Sequence, residues 1–388
     1  MNTKGINIGG KTYYTVCVHD HRFHSDDVFA VALLEQLFLQ FELQQDDGVQ
    51  HVARLSNSLR GAVLPHQLPL PVIRVSSNHD EAFFKNLEAT NVLCVDVGKG
   101  RYDHHQMDAQ VHIDGARYCG LSLIWEQVLS DNRYITGDMR KFCSIIENDI
   151  IYAIEAADNG VKPCALSHLI EFRNPANPGQ NADTAFVEAV RIAMKIIGPF
   201  LSQISRDVTE LNECLTESSH LQSMGLASRR VAIANKSFRP RILTAAFPWA
   251  NLVLYPDFRN GKFTYALRSI DDVDENGINH NRWTVPVEFR DKTKWSELLD
   301  NYGIPDPIFV HPNGFLATFD SLTPVAAVLM DERFTVATDW GAARESLPAA
   351  TIPAIMPLKI ATKEEGAEES SGLQTREAIE ELLKEYQQ

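Results

Sequence analysis

Two regimes of apolar spacing divide this chain. In the first half, short continuous apolar runs alternate with stretches of helical period. Tyr14 to Val18, Val72-Ile73-Arg74-Val75 and Val92 to Val95 are runs of strand length. From Asp26 to Leu43, Val28, Val31, Ala32, Leu34, Leu37 and Phe38 recur at helical spacing, with Ser25 and Asp26 as candidate N-caps. Leu121 to Leu129 and Lys141 to Ala157 read as further helices, the second stopped by Asp158-Asn159-Gly160 with Gly at the expected C′ position. Continuous apolar strands between helices predict a parallel sheet covered on both faces. Ligands of such sheets sit beyond the carboxyl ends of the strands, where His19 and Asp96 fall.

Phe172 to Asp183 is punctuated by Asn-Pro and Asn-Pro-Gly and reads as a loop. Thr184 to about Leu215 reads as one long helix, with a kink expected at Gly198-Pro199. From about Arg229 the runs become short and alternating: Val231 to Ile233, Leu252 to Tyr255, Phe263 to Leu267 and Trp283 to Val287, with helices expected at Trp295 to Leu299 and Pro324 to Met330. This predicts a second, α+β domain. Residues 359–375 are rich in Lys, Glu, Ser and Gly and have the composition of disorder, while Glu377 to Tyr386 has the pattern of a short helix. The expected organisation is residues 1–183, a catalytic domain; 184–225, a helical connector; 226–345, a substrate-binding domain; and 346–388, an acidic tail.

Composition narrows this picture. Of 388 residues 44% are hydrophobic and 22% charged, as in ordinary globular proteins. The formal net charge of −15 repels a polyanion, so a phosphate substrate requires local cations. The six cysteines form no Cys-x-x-Cys pair, and Cys17 and Cys94 lie inside apolar runs, which fits reduced structural thiols. Neither a signal core nor an apolar stretch of about 18 residues is present, so a cytoplasmic location without membrane contact is expected.

The chemistry lies in side chains at strand and helix ends. His19, His24 and Asp26 come first, Asp96 follows the run Val92 to Val95, Asp103-His104-His105 comes seven residues later, and Asp158 closes a helix. Mixed imidazole and carboxylate donors suit Mn²⁺-like ions, and several shared carboxylates suit two ions close together, which can generate hydroxide and hold a phosphate oxygen. Asp27 is explained equally well by the dipole of a helix N-terminus. Asp149 and Glu155 read as solvated or structural, and His21 as a solvated loop residue or a substrate contact.

These motifs resemble the DHH phosphoesterase superfamily, and within it the melanocyte proliferating gene family. The resemblance rests on His19, Phe23, His24 and Asp26; on Asp96-Val97-Gly98 with Tyr102-Asp103-His104-His105-Gln106; and on Asp158-Asn159-Gly160-Val161. It continues through Asn174-Pro175, Phe247-Pro248-Trp249 and Phe309-Val310-His311-Pro312-Asn313-Gly314-Phe315, spanning about residues 15–345. Asp20-His21 stands where the family has Asn-Gly, Asp27 where it has Glu, and the segment from Asp96 to Tyr102 is shorter. Loss of that Gly removes a residue tolerant of positive φ.

The resemblance implies an α/β fold: a DHH-type N-terminal domain with a parallel sheet flanked by helices, joined by a long helix to a smaller α+β domain. It implies a metal-dependent 3′-to-5′ exonuclease acting on RNA or short single-stranded oligonucleotides, with two ions of Mn²⁺ or Mg²⁺. The expected ligands are His19, His24, Asp26, Asp96, His104 and Asp158, with Asp96 and Asp158 bridging. His105, Asp103 and Asp96 are the expected catalytic set, His105 at the phosphate or leaving group and Asp103 fixing an imidazole tautomer. His311, Asn313, Gly314, Arg239 and Arg268 are the expected substrate contacts. Arg241, Lys262 and Arg290 are further basic candidates. Phe247, Trp249 and Trp295 are candidates for base stacking, though core packing suits them better. A phosphohydrolase of pyrophosphate or a cyclic dinucleotide is the alternative, and the acidity of the chain favours a small anion. A metal-stabilised scaffold with little turnover is the other. Beyond substrate, a second copy of the chain in a homodimer and a protein partner for the acidic tail are the expected partners.

Overall fold

The computed structural model describes residues 5–40, 63–64, 68–106, 111–112, 117–176, 181–220, 230–259, 262–273, 279–291, 294–295, 307–330 and 334. The chain forms two compact units, Met1–Val208 and Thr209–Gln388. The acidic tail, its expected helix at 377–386, and most of the helix expected at 295–299 lie outside the described residues.

The first unit opens with a hairpin of β1 (Ile6–Ile8) and β2 (Lys11–Tyr13). Its sheet is built on β3 (Thr15–His19), buried along its length. β3 pairs in parallel with β5 (Val72–Val75) on one side and β6 (Val92–Cys94) on the other, while β4 (Val63–Leu64) adds an antiparallel edge to β5. One sheet face, with Cys17, Ile73, Val75, Val92 and Cys94, packs on Phe84 and Leu87 of α2 (Glu81–Ala89). Val16, Val18, Val72 and Leu93 point the other way by strand alternation and are equally buried. α1 (Ser25–Gln40) follows β3, and Val28 to Leu34 are all fully buried. A helix apolar on every side belongs inside its domain, and α1 packs against α3 (Gly120–Ser130), α4 (Tyr152–Asp158) and α5 (Ala165–Glu171). The sheet is parallel at its centre and flanked by helices, as the sequence predicts.

α1 begins at Ser25, so Ser25 and Asp26 lie inside the helix rather than at its cap; Ser25 donates to the hydroxyl of Ser167 at 2.8 Å. A π-helical turn, Glu147–Ile151, leads into α4. α6 (Ala182–Glu217) runs through Pro199, and the division between the units falls inside it. Beside the proline, Gln36 of α1 donates to the Met194 carbonyl at 3.1 Å.

The second unit holds a six-stranded sheet in the order β11 (Phe309–Val310), β12 (Leu316–Phe319), β10 (Lys262–Ser269), β9 (Leu252–Arg259), β8 (Val231–Ile233), β7 (Ser219–His220). Only the β8–β9 pair among these is parallel. Its core joins Leu252, Leu254, Leu267 and Phe319 to Trp283, Trp295 and Val325, Val328 and Leu329 of the helix Leu322–Met330. The strand expected at Trp283 to Val287 is not formed. Trp283 N–H donates to the Ser269 hydroxyl and Val285 N–H to the Gly314 carbonyl, and Pro286, which has no N–H, opens a 3₁₀ turn at Val287–Phe289. All six cysteines are free thiols. No helix among the described residues is long and apolar enough to cross a membrane.

Candidate metal centre

β3 ends at His19, and the chain then loops to α1, whose first turn carries Asp26 and Asp27. Two side chains hold this loop. Arg74, 5% exposed in the middle of β5, donates Nε to the His19 carbonyl at 3.2 Å and Nη2 to the His21 carbonyl at 2.6 Å. Its Nη1 pairs with Asp183 at 3.0 Å, and its guanidinium lies over the rings of Phe186 and Phe23. Asn174 binds the backbone of Phe23 as a strand partner does, accepting from its N–H at 2.9 Å and donating to its carbonyl at 2.8 Å. His21 is not among the residues with positive φ, so its replacement of a family glycine leaves no backbone strain.

Asp96 follows β6 with φ of 55°, a left-handed conformation that is uncommon outside glycine and costs about 1–3 kcal/mol. Its N–H bonds to the Tyr102 carbonyl, and Gly98, at φ 86°, packs where a Cβ would lie 2.5 Å from the Phe84 ring. Asp158 ends α4, and a Schellman closure follows: Val161 N–H to the Ala156 carbonyl and Gly160 N–H to that of Ala157, with Gly160 at φ 69°. This puts Asp158 at the negative end of a helix dipole, an unfavourable place for a carboxylate without a cation.

All six expected ligands converge. His104 Nε2 lies 3.1 Å from Asp96 Oδ1, 3.3 Å from Asp158 Oδ2 and 3.9 Å from Asp26 Oδ2. His19 Nε2 lies 3.6 Å from Asp96 Oδ2, and His24 Nδ1 lies 4.0 Å from Asp158 Oδ1. Asp96 thus stands between His19 and His104, and Asp158 between His104 and His24. Donor atoms of His19, His24 and Asp96 lie within 4.8 Å of one another, as do those of His24, Asp26 and Asp158, and those of Asp96, His104 and His105.

The buried atoms test whether a cation fits. His19 Nδ1, Asp26 Oδ1, and both carboxylate oxygens of Asp27 and Asp96 have no hydrogen-bond partner. Burial first, then repulsion from Asp26, pushes Asp96 well above the usual carboxylate range and Asp158 to about 7. Asp27 is raised for the same reasons. Burial and the neighbouring His24 hold His19 down at about 4, in the neutral form a metal requires. Buried carboxylates without hydrogen-bond partners are costly and become favourable around a divalent ion. The donor set fits a divalent metal ion.

His105 is oriented separately. Asp103 Oδ1 lies 2.8 Å from His105 Nδ1 and accepts the His105 N–H at 2.9 Å, while Oδ2 accepts the Lys99 N–H at 2.6 Å. Burial raises Asp103, but these bonds outweigh it and the carboxyl ends below its usual range; its bond to His105 raises that imidazole. His105 is half exposed and lines a cavity of about 860 Å³ that also reaches His21, Ser77, His79 and Phe84.

Three participants escape the sequence reading. Asp27 is fully buried, 3.3 Å from His19 Nε2, and faces the cluster as well as starting a helix. Arg74 hides within an apolar run, where a lone charged residue is its only signal. Asn174 reads there as loop punctuation and as part of the family resemblance, with no role assigned. Asp149 is exposed, while Glu155 is buried and bonds His112 at 2.9 Å, a structural pairing.

In the second unit, Arg268 lies over the Phe315 ring at 5.2 Å and the His311 ring lies against it at 4.0 Å with a tilt of 35°, so these two expected substrate contacts share one aromatic support. Asn313 N–H donates to His311 Nδ1. Gly314 has φ of 77°, and a Cβ there would lie 2.8 Å from the Val285 carbonyl oxygen and the Arg290 side chain, which explains it structurally. Arg239 is paired with Glu210. Phe247 and Trp295 are buried in the core.

The family model MYG1_exonuc, described as an uncharacterised protein family (UPF0160), matches residues 85–330. The chain belongs to this family. It is the melanocyte proliferating gene family, with a fold of the metal-dependent phosphoesterase type. The matched region of this MYG1-family protein holds Asp96, His104, Asp158 and His311, while His19, His24 and Asp26 precede it. No curated protein matches the chain. A solved structure titled "pGpG-specific phosphodiesterase - PggH from Vibrio cholrae" aligns at 10% identity over 79% of this chain and 92% of that one, with a TM-score of 0.26.

Proposed function

We propose that this protein is a metal-dependent phosphodiesterase, a 3′-to-5′ exonuclease on RNA or short single-stranded oligonucleotides. The observation that carries the phosphoesterase reading is the convergence of three imidazoles and three carboxylates around buried oxygens that lack partners. His19, His24, Asp26, Asp96, His104 and Asp158 would hold two ions, Mn²⁺ or Mg²⁺. Such ions, when bound, supply a water nucleophile at neutral pH and offset charge on the phosphate. Asp103 fixes His105 through Nδ1, which leaves Nε2 to face the cavity and hold a proton for the leaving oxygen. Arg74 and Asn174 keep the ligand loop in place. His311, Asn313 and Arg268 are the proposed contacts to the substrate end in the second unit. RNA rather than DNA as substrate comes from the family resemblance, as does the direction of attack.

The test is hydrolysis of a labelled oligoribonucleotide, pyrophosphate and a cyclic dinucleotide, each with Mn²⁺ and with chelator. Mononucleotide release from the oligoribonucleotide, lost in chelator, is expected. Turnover of pyrophosphate alone would replace the exonuclease reading by that of a small-anion phosphohydrolase, which the net charge of −15 favours.

A further inference from the structure

The cavity beside the metal centre extends well past the ligand cluster. At about 860 Å³ it lies in the range that holds drug-sized organic ligands, far more than a phosphate alone needs. Part of its lining comes from the loop between β5 and α2. There His79 is exposed and stacks on Phe83, with ring centroids 4.0 Å apart and planes 19° apart. Phe83 in turn stands edge-on to buried Phe84, at 5.3 Å and 86°. The three rings form a ladder anchored in the core, with its outermost member lining the cavity. Asp80, whose side chain accepts the Phe83 N–H at 2.9 Å, caps α2 and fixes the position of the ladder. His21 Nε2 and Ser77 Oγ, 3.1 Å apart, add a polar pair to the same lining.

We infer that the exposed face of His79 is a stacking platform for the nucleobase of a nucleotide whose phosphate lies at the metal centre. This rests on the phosphoesterase reading for the position of the phosphate. A ring already stacked on one side and exposed on the other offers a planar base a preordered surface, and stacking accepts every base because each has a π-face. Of the aromatics named from the sequence, Phe247 and Trp295 are buried, and Trp249, partly exposed, lies in the second unit and not in the lining of this cavity. The substrate assigned by this surface is a nucleotide unit rather than an inorganic anion.

The experiment is calorimetric titration of the full chain, loaded with Mn²⁺, with AMP and with ribose 5-phosphate. The two share the phosphate and sugar, and only AMP carries a base. AMP should bind at least about 5-fold tighter, within the range of about 5- to 150-fold that stacking of one base supports. His79→Ala should erase that difference while keeping ribose 5-phosphate binding, and His79→Phe should restore it. Equal binding of the two ligands by the wild type, or a preference for AMP that survives in His79→Ala, overturns the platform. The preference together with no oligoribonucleotide hydrolysis keeps the platform and removes the exonuclease reading. Hydrolysis without the preference does the reverse.

Discussion

Asp158 Oδ2 stands 3.3 Å from His104 Nε2 at the C-terminal end of a helix, where the dipole opposes its charge. Burial and Asp26 raise its carboxyl to about 7. The sign of the pH effect follows. A carboxyl raised in the folded state favours folding while protonated, so its contribution is complete below the ordinary carboxylate pKa and is lost as pH rises towards about 7. Asp27 and Asp96 act in the same direction. In chelator, thermal stability should therefore fall from pH 5 to pH 8. Mn²⁺ requires the ionised ligands, so the melting-temperature gain it gives should grow over the same interval. Differential scanning calorimetry with and without chelator measures both; a gain that shrinks with pH rules out the carboxylate cluster as the ion's site.

Removing one of these charges should separate stability from activity. Asp158→Asn relieves repulsion, and in chelator at pH 8 it should raise the melting temperature, by about 2–4 °C for each kcal/mol relieved in a unit of this size. The same variant should lose Mn²⁺ and at least about 100-fold in turnover, judged from the 10- to 100-fold cost of disturbing even outer metal partners. Asp96→Ala should abolish turnover and remove an ion. An Asp96→Ala enzyme of full activity is incompatible with the proposed centre.

That His19, His24, Asp26, Asp96, His104 and Asp158 come together was legible in the sequence because their order and spacing repeat a family pattern that no single structural role demands. Secondary structure followed from apolar period for β3, β5, β6 and α1. It failed at Trp283 to Val287, where alternation suggested a strand but the N–H groups found partners in Ser269 and Gly314. Asp27 was ambiguous because an acid in a first helical turn already has a local explanation. Arg74 was invisible for a different reason: its three partners, His19, His21 and Asp183, are remote in sequence, the first two brought to it by the β3–β5 register of Val18 with Arg74 and the third by the first turn of α6.

That register makes Arg74 a positioning residue with a measurable signature. Arg74→Ala should leave the His19 and His21 carbonyls without their donor and the half-exposed Asp183 without its cation, at a cost of about 1–3 kcal/mol, most of it from the buried His19 carbonyl. The loop bearing His19 and His24 should then hold Mn²⁺ about 10- to 100-fold more weakly. Arg74→Lys, which keeps the charge but not the fork, should recover stability more than metal affinity. Equal loss of both in the two variants would indicate a structural role alone.

Glu35 provides a pH effect independent of the centre. It is fully buried in α1, both oxygens accept the Leu70 N–H at 3.0 and 3.2 Å, and burial raises its carboxyl to about 8 despite that bond. Its contribution is complete below about pH 4.5 and is lost as pH climbs to about 8. Glu35→Gln keeps an acceptor for Leu70 but cannot ionise. With Mn²⁺ present throughout, the melting temperature of this variant relative to wild type should rise steadily from pH 5 to pH 8. A constant difference across that range would show that Glu35 does not titrate in the folded protein.

The exonuclease assignment makes a demand on the substrate that the metal centre alone does not. An exonuclease needs a free strand end, so a circular single-stranded RNA should resist an enzyme that degrades its linear form. His311, supported on Phe315 and hydrogen-bonded by the Asn313 N–H, is the proposed contact to that end. Such a contact acts in ground state and transition state alike, so His311→Ala should raise KM about 10-fold or more with kcat and metal content nearly unchanged. Loss of Asp96 should instead appear in kcat. The two variants therefore separate holding the strand from cutting it. Efficient cutting of the circle would show that strand ends are not required. The phosphodiester chemistry would survive that result, but the exonuclease reading and the end-binding role of His311 would not.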